Sequence, residues 1–463
     1  VFVVFDSDAA DKREVQCAEW ALALALQEAG ARVKVVRLPP GPAGAKVGLD
    51  DFLIQVGAEG PAALRRLLDA AAEPTHPPVR DDRPAILLGT DEHRVVREVT
   101  DVLAADPLLF QRAGTVVSPR VLDTGAVADQ SSRRLKACWP TGLTLLGSAP
   151  PALVRHRITA TCRLSRSKVT KDGARTFVDC NPPDWLVPQV LTVPGPIRVL
   201  DGLAVGPTLR ADGTLLNAPG YDAATRLYMT RTLPGLRVPV APDRDDALTA
   251  ERLLYDLVCD FPWQEERDYA AWLCLLLTAV CRHLIGRTPL GLITANVAGA
   301  GKTYLCRLIS IVAHGLGAPV LMSWPEGSKL QARGDEIRKR LASLLHEGVT
   351  FALMDNLPRG LYFASPELDA FLTADAYHDR ELGRNDGRRV GGPNRCLLLA
   401  TGNNVAAGGD TADRILLVRL FSTDPNPRAR PAADFRFPDV ENYALRHRAR
   451  LLGAALTIWK AWT

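Results

Sequence analysis

The chain has 463 residues, 47% of them hydrophobic and 23% charged, a balance ordinary for globular protein that argues against wholesale disorder. At roughly 100–200 residues per domain it should hold about two to four domains. Lys and Arg number 56 against 52 Asp and Glu, and the resulting net charge of +4 excludes a globally basic, histone-like protein while leaving room for a local nucleic-acid-binding patch.

The longest nearly unbroken apolar run is Tyr269–Cys281, bounded by Asp268 and Arg282. A bilayer span needs roughly 20 apolar residues, so this run reads as a buried core helix and no membrane partner is expected. The nine cysteines (17, 138, 162, 180, 259, 274, 281, 306 and 396) form no CxxC pair and fit no zinc spacing. Reduced thiols in a cytoplasmic protein are the expectation. The chain opens on a strand-like run, Val1–Phe5, without an initiator Met, and closes inside a helix-like run ending at Thr463. A fragment cut at both ends is expected.

Residues 1–38 read as strand, helix, strand. Val1–Phe5 is continuously apolar, as in a buried parallel strand; Asp11–Ala29 has helical spacing and Gly30 supplies its stop; Arg32–Leu38 alternates basic and apolar residues. A loop over 39–47 and a helical stretch over 51–73 follow, giving a first domain over 1–74. Pro74, Pro77, Pro78 and Pro84 mark a linker over 75–84. Residues 85–243 are mixed α/β with turn signals, and no spacing in them points to chemistry; a folded spacer is the plain reading. From Asp245 to about Gly286 the pattern is helical. Then come three apolar strand-like runs, Leu290–Ala295, Thr350–Met354 and Cys396–Ala400, separated by helical stretches. That rhythm predicts an open, largely parallel α/β sheet over 244–463, with ligands at the strands' carboxyl ends.

The first run leads into Asn296-Val297-Ala298-Gly299-Ala300-Gly301-Lys302-Thr303 and then a helix over Tyr304–Ala313. A glycine-rich turn exposes backbone N–H groups to phosphate oxygens, and the helix N-terminus adds a favourable dipole. Lys302 suits the β/γ-phosphates and the Thr303 hydroxyl a Mg²⁺ ion. Asn296 stands where this motif has its first glycine; Asn tolerates left-handed backbone, so the turn survives. On the next helix-like segment, Asp335–Leu345, Glu336 is a candidate general base or a solvated carboxylate. The run Phe351-Ala352-Leu353-Met354 ends in Asp355-Asn356, and an Asp there suits the water shell of Mg²⁺. Asn356 occupies the place of a second carboxylate, which leaves the base open.

Asn385-Asp386-Gly387 is a hairpin-turn signal that puts Arg384, Arg388 and Arg389 at or near a tip. Three guanidiniums there suit DNA phosphates; a solvated basic loop is the other reading, and no interleaved aromatics support base stacking. The third run ends in Thr401-Gly402-Asn403-Asn404, where a polar amide suits the γ-phosphate and an attacking water, or simply makes a turn. Arg414 is either a transition-state guanidinium delivered across a subunit boundary or a surface residue paired with Asp410 or Asp413.

Taken in order, NVAGAGKT, FALMDN, a basic hairpin, LLLATGNN and DRILLVRL resemble superfamily-three helicases, and more closely the helicase half of primase–helicase proteins of phages, plasmids and integrated elements. Residues from about 246 to 463 carry the resemblance. It implies an AAA+ P-loop ATPase using ATP and Mg²⁺. It also implies assembly into a ring, usually a hexamer, translocation on single-stranded DNA, and other replication proteins as partners. By this resemblance the stretch Asn296–Tyr304, with Gly299, Ala300, Gly301, Lys302 and Thr303, holds the nucleotide. Asp355 is the Walker B carboxylate, Asn403 the sensor, Arg414 the arginine finger, and the hairpin the DNA grip. A nucleotide-gated DNA-binding or loader module that hydrolyses slowly is the alternative that Asn356 keeps open. At the N-terminus, Phe5-Asp6-Ser7-Asp8-Ala9-Ala10, VKVVRLP and Gly48-Leu49-Asp50-Asp51-Phe52-Leu53 resemble the later half of a TOPRIM domain as in bacterial primases. Asp6 and Asp8 are candidate Mg²⁺ ligands. The TOPRIM glutamate belongs to an earlier strand, so primase activity is not expected of this chain.

Overall fold

A computed structural model describes residues 1–74, 82–121, 143–169, 175–317, 319–325, 330–380 and 389–463. The chain divides into two compact units, Val1–Arg83 and Pro84–Thr463. In the first unit, strands Phe2–Val4 and Lys34–Val36 pair in parallel across the helix Arg13–Glu28, burying Val3, Ala23, Val33 and Val35 together. The helical stretch expected over 51–73 is two helices, Leu49–Val56 and Gly60–Asp69, broken where Gly57 takes a positive φ of 61°.

The second unit is built on a five-stranded sheet. Its strands, β1 to β5 in chain order, are Leu290–Ala295, Val320–Leu321, Phe351–Leu357, Leu397–Asn403 and Ile415–Leu420. Every neighbouring pair is parallel and the spatial order is β2–β3–β4–β1–β5. Five flanking helices, α1 to α5, are Arg244–Val258, Glu266–Val280, Lys302–His314, Leu330–His346 and Arg448–Trp462.

The apolar runs of β1, β3 and β4 are unbroken because both faces of the sheet are covered, and the two-residue period of a strand divides each run between two cores. Ile293, Leu353, Leu397 and Leu399 face the core shared with α1, α2, α3 and α5; Leu292, Ala352, Leu398 and Ala400 face the core shared with α4. Gly291 lets β1 pass close to Leu275 and Leu399, since a Cβ there would stand 2.5 Å from Leu399 Cδ2 and 2.6 Å from Leu275 Cδ1. The run Tyr269–Cys281 lies in this packing, mostly within α2. Among the described residues no helix is long and apolar enough to cross a membrane.

Residues 85–243 carry their own small core around Ile86, Val99, Leu103, Ile158 and Leu186. They also contribute Phe110, Val117, Leu146 and Leu203 to the α4-side core. Leu146 N–H donates to the Glu347 carbonyl at 2.8 Å, and the buried Arg112 guanidinium donates to the carbonyls of Leu345 and His346. The change of pattern near 243 is therefore not a break between compact units.

Candidate functional site

The turn after β1 lies at the carboxyl end of the sheet. Gly299 and Gly301 hold φ of 86° and 95°, a backbone that costs an L-residue about 1–2 kcal/mol. Their missing side chains leave room for neighbours. A Cβ on Gly299 would come within 2.5 Å of Arg428 Cγ, and one on Gly301 within 2.6 Å of Phe261 Cε1. Ala300 is buried, Lys302 and Thr303 are partly so, and the Tyr304 ring is exposed. The helix expected from Tyr304 starts two residues earlier, so Lys302 and Thr303 occupy the first turn of α3, where backbone N–H groups are unpaired within the helix.

Three strand ends converge on this turn. Because β4 lies between β1 and β3, Asn403 is the direct neighbour of Ala295, and its Oδ1 accepts a 2.7 Å hydrogen bond from Lys302 Nζ. From β3, Asp355 Oδ1 accepts from Thr303 Oγ1 at 3.0 Å and from Thr401 Oγ1 at 2.6 Å. The β3–β4 register shifts between Met354 and Leu357, and this bulge re-aims Asp355. Asn356 sits in the bulge at φ 59°, its N–H donating to Thr401 Oγ1 at 2.9 Å. Burial lowers the proton affinity of the Lys302 ammonium; Asp355 opposes this and the Arg428 guanidinium adds to it.

Asn296 behaves differently from expectation. Its φ is not left-handed. Instead its side-chain amide pairs with the backbone of Ser422, Nδ2 donating to the carbonyl at 2.8 Å and Oδ1 accepting from the N–H at 3.0 Å. A glycine at 296 would lose both bonds.

Two candidates are not brought to this cluster. Glu336 lies on α4 and accepts from Arg340 Nε at 2.8 Å; among the described residues no hydrogen bond or ion pair joins it to Lys302, Thr303 or Asp355. Arg414 precedes β5, and its carbonyl accepts from Leu290 N–H at the amino end of the sheet, about 17–20 Å from the strand ends at 3.3–3.4 Å per residue. Its guanidinium donates to the Asp410 carbonyl and lies 3.9 Å from the Asp410 carboxylate. It is thus remote from its own chain's cluster.

Strands Ala376–Arg380 and Arg389–Pro393 form an antiparallel hairpin closed at Arg380 and Arg389. Arg384 and Arg388 lie outside the described residues, and Arg389 opens the second strand. In the N-terminal unit the acidic pair is already engaged by lysines. Lys46 Nζ lies 2.7 Å from Asp6 and 3.8 Å from Asp8, and Lys12 Nζ donates to Asp8 at 3.0 Å and holds that carboxyl below its ordinary pKa. A cation at Asp6 and Asp8 would have to displace these lysines. No group of three or more His, Cys, Asp or Glu suited to a metal occurs among the described residues.

Thr401, Ser422 and Arg428 belong to the cluster and were not singled out by sequence. A polar residue inside the apolar run of β4 was the available signal for Thr401. The Pro-rich segment around Arg428 gave none.

No protein-family model matches the chain, and no curated protein matches it. Among solved structures it is similar to "The A form apo structure of NrS-1 C terminal region-CTR", with 11% identity, a TM-score of 0.34, and coverage of 62% of this chain and 63% of that one. It is also similar to "SCCmec type IV Cch - active helicase", at 10% identity and TM-score 0.25 over 68% of this chain and 67% of that one. A JCV helicase with a substituted N-phenylacetamide compound bound shares 13% identity at TM-score 0.23 over 46% of this chain and 60% of that one. The chain spans 63% of the length of the first of these structures.

Proposed function

We propose that this chain is an ATP-driven DNA helicase motor of the primase–helicase kind, working as a ring on single-stranded DNA. One observation carries the reading. At the carboxyl ends of adjacent parallel strands, Lys302 is held by Asn403 at 2.7 Å while Thr303 and Asp355 share a hydrogen bond of 3.0 Å, all in front of a turn with two positive-φ glycines.

The residues fit a magnesium nucleotide. The Thr303 hydroxyl and the exposed Asp355 carboxylate are hard oxygen donors of the kind that bind Mg²⁺ through one or two protein oxygens, the rest of its shell being phosphate and water. Bound there, Mg²⁺ would neutralise charge on the phosphates. Lys302, released from Asn403, would bind phosphate oxygens, and the freed Asn403 amide would orient water. Arg414, remote from its own chain's cluster, suits delivery into a neighbouring subunit's site, as in a ring. The Arg384/Arg388/Arg389 hairpin would grip DNA phosphates. No primase chemistry is assigned to this chain.

The second reading, a nucleotide-gated DNA-binding or loader module, is favoured by Asn356. The residue after Asp355 has no carboxylate, and Glu336 is paired to Arg340 rather than to the cluster. ATP turnover with and without single-stranded DNA separates the two, with Lys302→Ala as the blank. Turnover that rises with DNA and vanishes in the variant is expected. Tight ATP binding without turnover would replace the motor with the gated module.

A further inference from the structure

The segment after β5, residues 421–439, is strapped along the glycine turn and pinned at both ends. At its start, Ser422 is clasped by the Asn296 amide through two backbone hydrogen bonds of 2.8 and 3.0 Å. Towards its end, Arg436 donates to both Asp256 oxygens at 2.8 and 2.9 Å, and its backbone N–H donates to Asp260 Oδ2 at 2.6 Å. Arg430 adds a 3.2 Å hydrogen bond to the Asp260 carbonyl. Between these anchors Pro427–Ala429 forms a single 3₁₀ turn that lays Arg428 on the face of Gly299.

Arg428 differs from the other arginines of the strap. Arg430 and Arg436 are both engaged, but the exposed Arg428 guanidinium makes no hydrogen bond or ion pair with any described residue. It nevertheless lies close enough to Lys302 for its charge to disfavour the lysine's own. Like charges near one another are disfavoured, and an anion bound by both relieves that cost. The close approach to Gly299 depends on the absence of a side chain there, so the strap and the turn fit each other as built surfaces. A guanidinium presents a fork of N–H donors that matches phosphate oxygens.

We propose that Arg428 is a second phosphate-binding residue of the same chain, delivered by the strap to the polyphosphate of the nucleotide that Lys302 binds. The inference rests on the nucleotide-site reading above and adds to it a ligand from outside the glycine turn. It also gives Asn296 a task. Asparagine at 296 is the clasp that holds the strap, and with it Arg428, over the turn.

The test is binding of a fluorescent ATP analogue to the full chain, and its displacement by inorganic tripolyphosphate. Wild type is compared with Arg428→Ala, Arg428→Lys, Asn296→Gly and Lys302→Ala. A charge-assisted hydrogen bond is worth roughly 10- to 100-fold in affinity, so Arg428→Ala should weaken both probes by about that factor. Arg428→Lys should recover part of the loss. Asn296→Gly should weaken binding in the same direction, and add little once Arg428 is already alanine, because both changes act through the strap. The melting temperature of Arg428→Ala should equal that of wild type, since the guanidinium holds no described residue. If Arg428→Ala binds tripolyphosphate as wild type does while Lys302→Ala has lost it, the strap arginine is no ligand and the site reading stands. If Lys302→Ala also binds as wild type does, the nucleotide-site reading falls and this inference falls with it.

Discussion

Replacing Thr401 by valine tests whether the acidic strand end is held in place by its neighbour. Thr401 is 1% exposed, and its one hydroxyl serves two partners, donating to Asp355 Oδ1 at 2.6 Å and accepting from Asn356 N–H at 2.9 Å. Valine keeps the branched shape and removes both bonds. A hydrogen bond to a charged group contributes about 1.5–3 kcal/mol and a neutral one about 0.5–1.5. Burying a methyl in place of the hydroxyl returns roughly 1 kcal/mol. The net loss should be about 1–3 kcal/mol, read as a lower urea midpoint with an unchanged slope. The effect on turnover should be larger than the effect on stability suggests. Asn356 tolerates its left-handed backbone better than most residues, and the Thr401 hydroxyl accepts the N–H that this conformation presents. Once freed, the bulge relaxes and Asp355 leaves Thr303, and a displacement of about 1 Å at such a site costs on the order of 100-fold. Thr401→Val should therefore lower ATP turnover at least about tenfold at saturating nucleotide, whereas Thr401→Ser, which keeps the hydroxyl, should stay near wild type. A valine variant with both its midpoint and its turnover unchanged would refute the clasp.

Arg414→Ala should abolish hydrolysis while nucleotide affinity stays within about threefold, because Arg414 is remote from its own chain's cluster; retained turnover would remove it from the mechanism. Mutating Arg388 and Arg389 together should weaken single-stranded DNA binding and flatten its dependence on salt by about 0.7 for each phosphate no longer neutralised, and an identical salt slope would dismiss the hairpin grip. Stability should fall with pH below about 6.5 through two histidines. Burial lowers His283 to about 4 and, with Arg448 beside it, His314 to about 3, both from 6.5. The unfolded chain therefore takes up protons that the fold refuses. Stability is fully present above pH 6.5 and is lost as pH falls towards those lower values, by about 2 kcal/mol per histidine between pH 6.5 and 5. His314→Gln should flatten the urea-midpoint profile in that window, and an unaltered slope would show that the residue titrates normally.

The sequence by itself determined the parts whose signal is local. Runs such as Leu290–Ala295 and Leu397–Ala400 are apolar at every position because both sheet faces are covered, and that reads as buried parallel strands without any knowledge of neighbours. The glycine turn, the lysine and threonine at the head of α3, and Asp355 at a strand end were legible because each needs particular residue types at short spacing. Only the tertiary structure decided which strands lie side by side. Apolar periodicity encodes burial but carries no address, so nothing in the sequence said that β4 inserts between β1 and β3 and brings Asn403 to Lys302 across 101 residues. The same holds for the Thr401 hydroxyl under Asp355, for Glu336 facing Arg340 instead of the cluster, and for Arg414 at the far end of the sheet. Asn296 is the sharpest case. Local backbone preference explained its presence by a left-handed turn. The structure instead pairs its amide with Ser422, 126 residues away, because a side chain that can both donate and accept joins a strand edge as another backbone would.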